Sequence, residues 1–533
     1  MPHRLNSHPH REVTLSSTHA RPTTAGVPAA RRRPGQQAPV PVRHRVDVLA
    51  GLASVLAAAV VFSWRLGTPS PWRDEAVTIA VASRTTGQIW ALVQKVDLVH
   101  APFYFLAHLL FGTDVDIVEA RWISVVAASL TAPLLYGLGR RAAALAVGPG
   151  QARLTGGVAA ALFVSMPFVS RYAQEARPYA LATLVATLGT YLLVRASAAR
   201  RRSTGWWVGY GLSVPVLVAL NTVAALVLVA HAGWALACGR RVRWRAAVAA
   251  GTGVVLSVPL LLAQDAQSGQ VAFLQRPTPA ELGSHVLFAL GSSWTALAVA
   301  ALAVAVAVRW ARARRLVLLG LLWGVLPWPL LWTVSQVTPF WTTRYLVFVA
   351  PGTALLLASV VTVAVRLRVA AVVAAALVGA LAVTGVHMQF VFRSPTIGHA
   401  EDLRGTAEYV GLNARPGDGL LFLPDGEYRY RVLTQLYPED FAQLDDIALA
   451  RTATESATLV GTTVQTPQLW RHMAGVGRIW VIGGVGPVVT KTAEDRETKR
   501  LLDQDYQLVS TEEKRAFSVK LYVLKDTGTP AAG

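Results

Sequence analysis

Two adjacent acids, Asp74 and Glu75, follow directly on Arg73 in the segment WRLGTPSPWRDEAVTI, residues 64–79. The segment comes right after the first long apolar run of the chain. Anchoring at a membrane surface uses Trp, Tyr, Lys or Arg, so it does not explain a pair of carboxylates. A positioned carboxylate can instead accept the proton of an attacking hydroxyl group. The structural alternative is that an acid before AVTIAVA stabilises the start of a helix, and the two roles are compatible.

Further polar side chains flank apolar runs on what the charge pattern predicts to be the same side of a membrane. Ionisable groups are costly there, so we expect several of them to face a cavity. Arginine can hold and neutralise a phosphate leaving group with two parallel hydrogen bonds. For any one arginine, a snorkelling side chain or an ion pair is the structural alternative. The whole set comprises Arg73, Asp74, Glu75, His100, Glu119, Arg121, Arg171, Gln174, Glu175, Arg177, Arg344 and Tyr345.

The composition indicates a polytopic membrane protein. Hydrophobic residues make up 53% of the chain and charged residues only 15%, against roughly 25% charged residues in soluble domains. The formal net charge is +20, but the arginines cluster at the ends of apolar runs, where they set topology. Nucleic acid is therefore not an expected partner. The single cysteine, Cys238, excludes an intrachain disulfide.

The arginine-rich loops predict eleven spans with a cytoplasmic N-terminus. Residues 1–45 are predicted to be a disordered basic arm. Residues 76–95 and 101–112 are predicted as helices on the outer surface, because the second is far shorter than the about 20 residues of a crossing. The stretch 206–238 is split near Asn221 into a hairpin, since both of its flanks are basic. The predicted spans are 46–63, 118–139, 154–170, 179–194, two within 206–238, 246–263, 285–308, 316–334, 345–365 and 369–389.

The chain changes character near residue 391. Residues 391–533 are charged and mixed in composition, which predicts a small α/β domain on the extracytoplasmic side. A helix is predicted at 403–412 and strands at 420–423, 479–482 and 519–523. The glycines of residues 483–486 lack the helix of a dinucleotide fingerprint, so no nucleotide cofactor is expected there.

The membrane part, residues 46–390, resembles a known family. Its segments run in the order PWRDEAVTI, VHAPFYFLAHLLFG, VEARWISVVAASLTAPLLYGLGRR, RYAQEARPYAL and TTRYLVFVAPGTALLLA. This order resembles the bacterial glycosyltransferase family 39 group of the GT-C superfamily, which includes protein O-mannosyltransferase-like and aminoarabinose-transferase-like enzymes. The acidic pair and QEARPYAL carry the resemblance together. It implies an α-helical polytopic membrane protein with the GT-C fold, of about eleven transmembrane helices, before the C-terminal domain.

The resemblance also implies a reaction at the plasma membrane. A sugar (mannose, or another hexose or pentose) would pass with inversion from a polyprenyl-phosphate donor in the outer leaflet to a hydroxyl of a glycan, lipid or protein acceptor. Asp74 would be the general base, Glu75 would position donor or acceptor, and Arg121 would lie near the donor phosphate. The further candidates for donor-phosphate or substrate binding are Arg177, Arg344, Glu175, Tyr345 and His100. No cofactor is implied with certainty, but two carboxylates could also hold a divalent metal.

Two other functions are compatible with part of the sequence. A transporter or flippase of lipid-linked sugars would explain the outer arginines. It would not need an acidic pair on a surface loop, and the chain has no obvious internal repeat of the kind that many transporters show. A non-catalytic scaffold of the cell envelope, whose outer domain binds wall polymers or a partner, is the second alternative.

Overall fold

A computed structural model describes residues 42–199, 203–271, 273–291, 313–364, 366–396, 400–424 and 428–525, with isolated positions between 294 and 304. Residues 46–533 form one compact unit. The predicted basic arm lies almost entirely outside the described residues. The first described helix is Val42–Ser63.

Long apolar helices make up most of the first 390 residues. Within the described ranges, seven helices are long and apolar enough to cross a membrane, or eight if a bent pair counts as one span. Two shorter apolar helices, Thr204–Leu220 and Thr222–Cys238, follow the same pattern. The protein is therefore a multi-pass membrane protein. The candidate spans are Arg45–Ser63, Ile117–Ala143, Pro149–Ser165 with Pro167–Ala173, Tyr179–Ala198, Arg240–Asp265, Arg314–Val334, Thr343–Val363 and Leu367–Phe392.

The predicted hairpin within 206–238 breaks at the expected residue. Helix Thr204–Leu220 ends at Asn221, whose extended backbone and side-chain acceptor for the Val223 N–H start the next segment. From the predicted span 285–308 the structure describes helix Pro279–Ala289, while most of the rest lies outside the described residues. The total of eleven spans thus stays a prediction.

The first two long membrane helices run antiparallel. Asp47, near the start of the first, pairs with Arg140, near the end of Ile117–Ala143, at 3.5 Å and with Arg153 at 3.0 Å. Helix Pro149–Ser165 packs closely against Ile117–Ala143. The contact needs a glycine at position 156, since a Cβ there would overlap the carbonyl oxygen of Tyr136. Small residues allow such close approach of helices in membranes.

The acidic pair lies in a connection between membrane helices, residues 64–116, which we call the acidic-pair loop. It contains helices Arg73–Ala82, Thr86–Val93 and Ala101–Phe111. The prediction of one helix over 76–95 was wrong. Thr85 and Gln88 form a capping box that starts a new helix, so the chain breaks after Ala82. The second predicted helix, 101–112, is confirmed within one residue.

The C-terminal part builds a mixed five-stranded sheet. Its strands are β1 (Asp418–Phe422), β2 (Leu444–Asp446), β5 (Arg478–Gly483), β6 (Tyr506–Lys514) and β7 (Phe517–Leu524), in the order β2-β1-β5-β7-β6. β1 is parallel to β2 and β5, whereas β7 is antiparallel to β5 and β6. A small antiparallel pair, β3 (Leu449–Arg451) and β4 (Thr462–Thr463), lies apart. The predicted strands at 420–423, 479–482 and 519–523 are thereby confirmed.

The remaining described helices are mostly short, and they belong either to the membrane region or to the C-terminal part. In the membrane region they are Val227–Cys238, Arg314–Gly324, Pro327–Val334 and Ala350–Ala358, with Thr343–Val349 forming a 3₁₀ segment. Around the sheet they are Leu403–Asn413, Tyr428–Leu436, Ala453–Ser456, Thr466–Met473 and Ala493–Asp505.

Arg393 ties the last described membrane helix to the first. Its fully buried guanidinium donates to the carbonyl oxygens of Val61 at 2.8 Å and Trp64 at 2.9 Å, and it lies 5.1 Å from the centre of the Trp64 ring. Carbonyls in the last turn of a helix lack partners within that helix, so the arginine supplies the missing donors.

Candidate active site

The helix Arg73–Ala82 carries both acids in its first turn, where negative charge is favourable. The residue that precedes it, Trp72, makes no side-chain cap bond. The N–H of Arg73 instead donates to the carboxylate of Glu401, at 2.8 Å. A distant carboxylate therefore caps this helix, and the side chains of Asp74 and Glu75 are available for other contacts.

Glu75 forms a buried ion pair with Arg121. The Nε and Nη2 atoms of Arg121 donate to the two carboxylate oxygens at 2.9 and 2.7 Å, and both side chains are fully buried. The Ala176 N–H also donates to Glu75, at 2.9 Å. Arg121 Nη1 donates to the carbonyl oxygens of Leu66 and Pro69. This pair thus joins the acidic-pair loop, the helix Ile117–Ala143 and the 174–178 turn.

Asp74 lies between two further arginines. Its Oδ2 is 3.0 Å from Nη1 of Arg344 and 3.9 Å from Nη2 of Arg177. Arg177 also donates to the Asp74 carbonyl oxygen, at 3.2 Å. Arg344 stacks over Trp72, with 5.2 Å from its guanidinium carbon to the ring centre. Two guanidinium groups therefore face the carboxylate of Asp74.

His100 is a neutral imidazole with its proton on Nδ1. Its Nε2 is hydrogen-bonded to Nη2 of Arg177, and an arginine can only donate, so Nε2 must be the acceptor. Burial, Arg177 and Arg344 all hold the pKa of His100 well below its usual range. The Asp97 oxygen that lies 3.8 Å from Nε2 therefore makes no ion pair with it.

Asp97 is a further buried carboxylate next to His100. Asp97 accepts a hydrogen bond from the Tyr104 hydroxyl group. Burial raises the pKa of Asp97, while Arg177 and the Tyr104 hydrogen bond oppose that rise. The spacing of three and four residues brings the side chains of Asp97, His100 and Tyr104 together. Asp97 and Tyr104 both contact His100, which in turn contacts Arg177.

A cavity of about 720 Å³ begins at these residues. His100, Tyr179 and Tyr345 line one part of it, and mostly apolar side chains of residues 218–229, 261–270 and 331–345 line the rest. Asp74 is not in its wall, but Arg177 connects Asp74 to His100. The cavity is therefore an apolar space with one polar end, close to the acidic pair.

Some of the hydrogen-bond donors that lack a partner lie at this polar end or on the arginines next to it. Among the residues that the structure describes, Nε of Arg177, Nε of Arg344, Nδ1 of His100 and the Tyr179 hydroxyl are buried and have no hydrogen-bond partner. Buried polar groups are nearly always paired, so each exception needs an explanation. Three of these groups can only donate and the fourth can donate, which fits a ligand rich in acceptor oxygens.

Glu175 is a buried acid beside the same turn. Its carboxylate is 3.5 Å from Nη2 of Arg171. Burial raises the pKa of Glu175 to about 7, and the nearby carboxylates of Glu75 and Asp74 add to the rise against the opposing charge of Arg171. Glu175 therefore exchanges its proton near neutral pH.

The two acids of the pair do not form a metal site. Glu75 is turned to Arg121 and Asp74 to Arg344, so the carboxylates do not converge on one point. Within the described ranges, no group of three or more His, Cys, Asp or Glu side chains is placed to hold a metal ion.

The structure brings most of the predicted site residues into one network. Arg177 and Arg344 both pair with Asp74, and Arg177 also contacts His100, which lines the cavity together with Tyr345. Glu75, the residue after Asp74, pairs with Arg121. Glu175 pairs with Arg171. Four residues in or next to this network were not among the predicted candidates: Asp97, Tyr104, Tyr179 and Glu401. The position of Tyr179, two residues after Arg177, was a usable signal, whereas that of Glu401, more than 300 residues from Arg73, was not.

Comparisons of sequence found no match. No family model matches the chain, and no curated protein matches it. Comparison of structures, in contrast, found ArnT from Cupriavidus metallidurans in the apo state, with a TM-score of 0.54 and 14% identity over 90% of this chain and 98% of ArnT. ArnT bound to undecaprenyl phosphate matches with a TM-score of 0.53 and 14% identity, over 88% of this chain and 97% of ArnT.

A weaker match is the oligosaccharyltransferase from Archaeoglobus fulgidus tethered with an acceptor peptide. It has 10% identity over 90% of this chain and 75% of that chain, with a TM-score of 0.46, and supports no conclusion on function. The ArnT match extends over more of the chain than the membrane part, residues 46–390, alone. The chain therefore has the GT-C fold, which it shares with the aminoarabinose transferase ArnT.

Proposed function

We propose that this protein is a glycosyltransferase that moves a sugar from a polyprenyl-phosphate donor to an acceptor hydroxyl, on the extracytoplasmic side of the plasma membrane. The observation that carries the proposal is the pairing of Asp74 with Arg344 and Arg177 beside an apolar cavity. A polyprenyl chain needs an apolar space, its phosphate needs cations, and the incoming hydroxyl needs a base.

In this proposal the arginines and the neutral donors together bind the sugar-phosphate headgroup of the donor lipid. Arg344 and Arg177 neutralise the phosphate and stabilise the negative charge that grows on it as it leaves. Acceptor oxygens of the headgroup would receive hydrogen bonds from the Nε groups of both arginines, the Tyr179 hydroxyl and the His100 Nδ1–H. The binding of undecaprenyl phosphate to ArnT agrees with this assignment.

The reaction is a single displacement. The acceptor oxygen attacks the anomeric carbon, the bond from that carbon to the phosphate oxygen breaks, and the polyprenyl phosphate leaves with the electron pair. Asp74 takes the proton of the attacking hydroxyl. A phosphate needs no proton to leave, so one carboxylate is sufficient, and attack from the opposite side gives inversion.

We assign Glu75 and Arg121 to positioning. Both are fully buried and bound to each other, so they hold the helix that carries Asp74 instead of contacting the donor. This proposal replaces the expectation that Arg121 lies at the donor phosphate. Breaking such a buried pair is costly because it leaves a charge without a partner.

The test is transfer by purified protein in lipid vesicles. A panel of radiolabelled hexoses and pentoses on polyprenyl phosphate is supplied with glycan, lipid and protein acceptor fractions. Transfer of label by the wild type and not by Asp74→Asn supports the proposal. A transporter would move the lipid across the vesicle without breaking its bond to the sugar, and a scaffold would do neither.

A further inference from the structure

We propose that Glu401 positions the general base, and that the C-terminal domain thereby holds the catalytic helix in place. The contact has two parts. The Glu401 carboxylate accepts the Arg73 N–H at 2.8 Å and pairs with the Arg73 guanidinium at 3.2 Å. Arg73 is the residue directly before Asp74. The inference rests on the proposed function only for the chemical role of Asp74.

The first turn of the helix depends on this carboxylate. The first N–H groups of a helix have no acceptor within it, and a side chain at the preceding position usually provides one. Trp72 occupies that position, and an indole has no acceptor oxygen. The Glu401 side chain is only 8% exposed, so its bond is shielded from competing water. It also places negative charge at the positive end of the helix.

The rest of the helix is packed into the core of the C-terminal domain. Ala76, Val77, Ala80 and Val81 share one buried cluster with β1, β5, β7 and helices Leu403–Asn413 and Tyr428–Leu436. On the opposite side, Ile79 and Ala82 pack with helix Ala101–Phe111 and with the start of helix Ile117–Ala143. The helix thus packs between two apolar clusters, and Glu401 fixes the position of its N-terminus.

Other contacts anchor the approach to the helix. The Ser70 N–H donates to the carbonyl oxygen of Pro395 at 2.8 Å, and the Arg404 N–H donates to the Ser70 hydroxyl at 3.2 Å. The nearer of the two arginines paired with Asp74, Arg344, instead belongs to the candidate span Thr343–Val363. The distance between base and cation therefore depends on how the C-terminal domain holds residues 70–74.

This geometry predicts a loss of turnover without a loss of donor binding. A misplacement of about 1 Å at a reacting group can cost about a hundredfold in rate. The donor lipid in our proposal is held by Arg344, Arg177 and the cavity, whereas Glu401 binds the residue directly before Asp74. Glu401→Gln keeps an acceptor oxygen for the Arg73 N–H and should restore much of what Glu401→Ala loses.

The experiment compares these two variants with Lys95→Ala in the full chain. Lys95 also joins the acidic-pair loop to the C-terminal domain, through a 3.3 Å bond to the carbonyl oxygen of Ser456, but away from the helix start. We expect Glu401→Ala to lower kcat about ten- to hundredfold with KM for the donor within twofold. Lys95→Ala should leave both constants nearly unchanged, with Glu401→Gln in between.

Hydrogen exchange supplies a readout that needs no activity. Loss of the cap should make the first-turn amides of Arg73–Ala82 exchange about fivefold faster in Glu401→Ala, and not in Lys95→Ala. Unchanged exchange and unchanged kcat in Glu401→Ala would overturn the positioning role, as would an equal loss of kcat in Lys95→Ala. If the wild type transfers no sugar, the proposed function fails, and exchange alone decides the role of Glu401.

Discussion

Replacing Asp74 with Asn is the sharpest test of the proposed base. Asn keeps the size of the side chain and one acceptor oxygen for Arg344, whose Nη1 lies 3.0 Å from the carboxylate. It removes the negative charge and the ability to accept a proton. The helix itself should be unaffected, because Glu401 caps it.

The expected magnitudes follow from these contacts. A positioned general base typically contributes about 10²- to 10⁴-fold in rate, so kcat should fall by that factor. Loss of a charged hydrogen-bond partner should cost about 1–3 kcal/mol of the free energy of unfolding. Donor affinity should be retained, since Arg344 and Arg177 lose a competitor for the phosphate and keep all their donors.

The assay measures transfer, undecaprenyl phosphate binding and thermal unfolding of the same purified sample. Asp114→Asn, at an exposed position of the same loop, is the matched control and should behave as the wild type. Near-normal turnover by Asp74→Asn would remove Asp74 as the base. An equal fall in turnover and donor binding would show that the residue binds the donor and does not act as base.

Four further predictions concern the neighbours of Asp74. Arg344→Lys keeps the charge but loses the planar fork stacked on Trp72, so undecaprenyl phosphate binding should weaken about tenfold. Arg121→Ala should lower the free energy of unfolding by about 3–5 kcal/mol, seen as a lower Tm, because a buried carboxylate loses its partner. Glu175 has a pKa of about 7 in the folded state, above its ordinary 4.5, so its protonation stabilises the fold fully below pH 4.5 and the stabilisation is lost as pH rises through 7. Tm should therefore fall more between pH 5 and 8 in the wild type than in Glu175→Gln. Tyr179→Phe should weaken donor binding about fivefold without lowering Tm, since the hydroxyl has no partner within the described ranges.

Much of the membrane architecture could be predicted from the sequence. Positive charge at the ends of apolar runs and a minimum crossing length are local properties, so they located the break at Asn221 and most of the spans. The chemistry of an acidic pair beside an apolar run also pointed to Asp74. These inferences needed only residue types and spacing.

The ion-pair partner of each acid in the pair could not be predicted. Asp74 and Glu75 are adjacent and both acidic, but helical geometry turns neighbouring side chains about 100° apart. One therefore meets Arg344 and the other Arg121, according to which membrane helix lies on each side. Glu401 was missed because its partner, Arg73, is distant in sequence and the contact depends on the placement of a whole domain.

The Arg393 contact has a consequence for biogenesis. The end of the first described membrane helix receives donors from two residues that are synthesised later. Gln174 donates to the carbonyl oxygens of Phe62 and Trp64, and Arg393, more than 300 positions after Val61, donates to those of Val61 and Trp64. Only 11% of the apolar window of that helix is buried, so these polar contacts at its end matter for its position. Until residue 393 leaves the ribosome, the carbonyl of Val61 must take hydrogen bonds from water or lipid headgroups. The contacts that hold this early helix are thus completed only after the later membrane helices have been made.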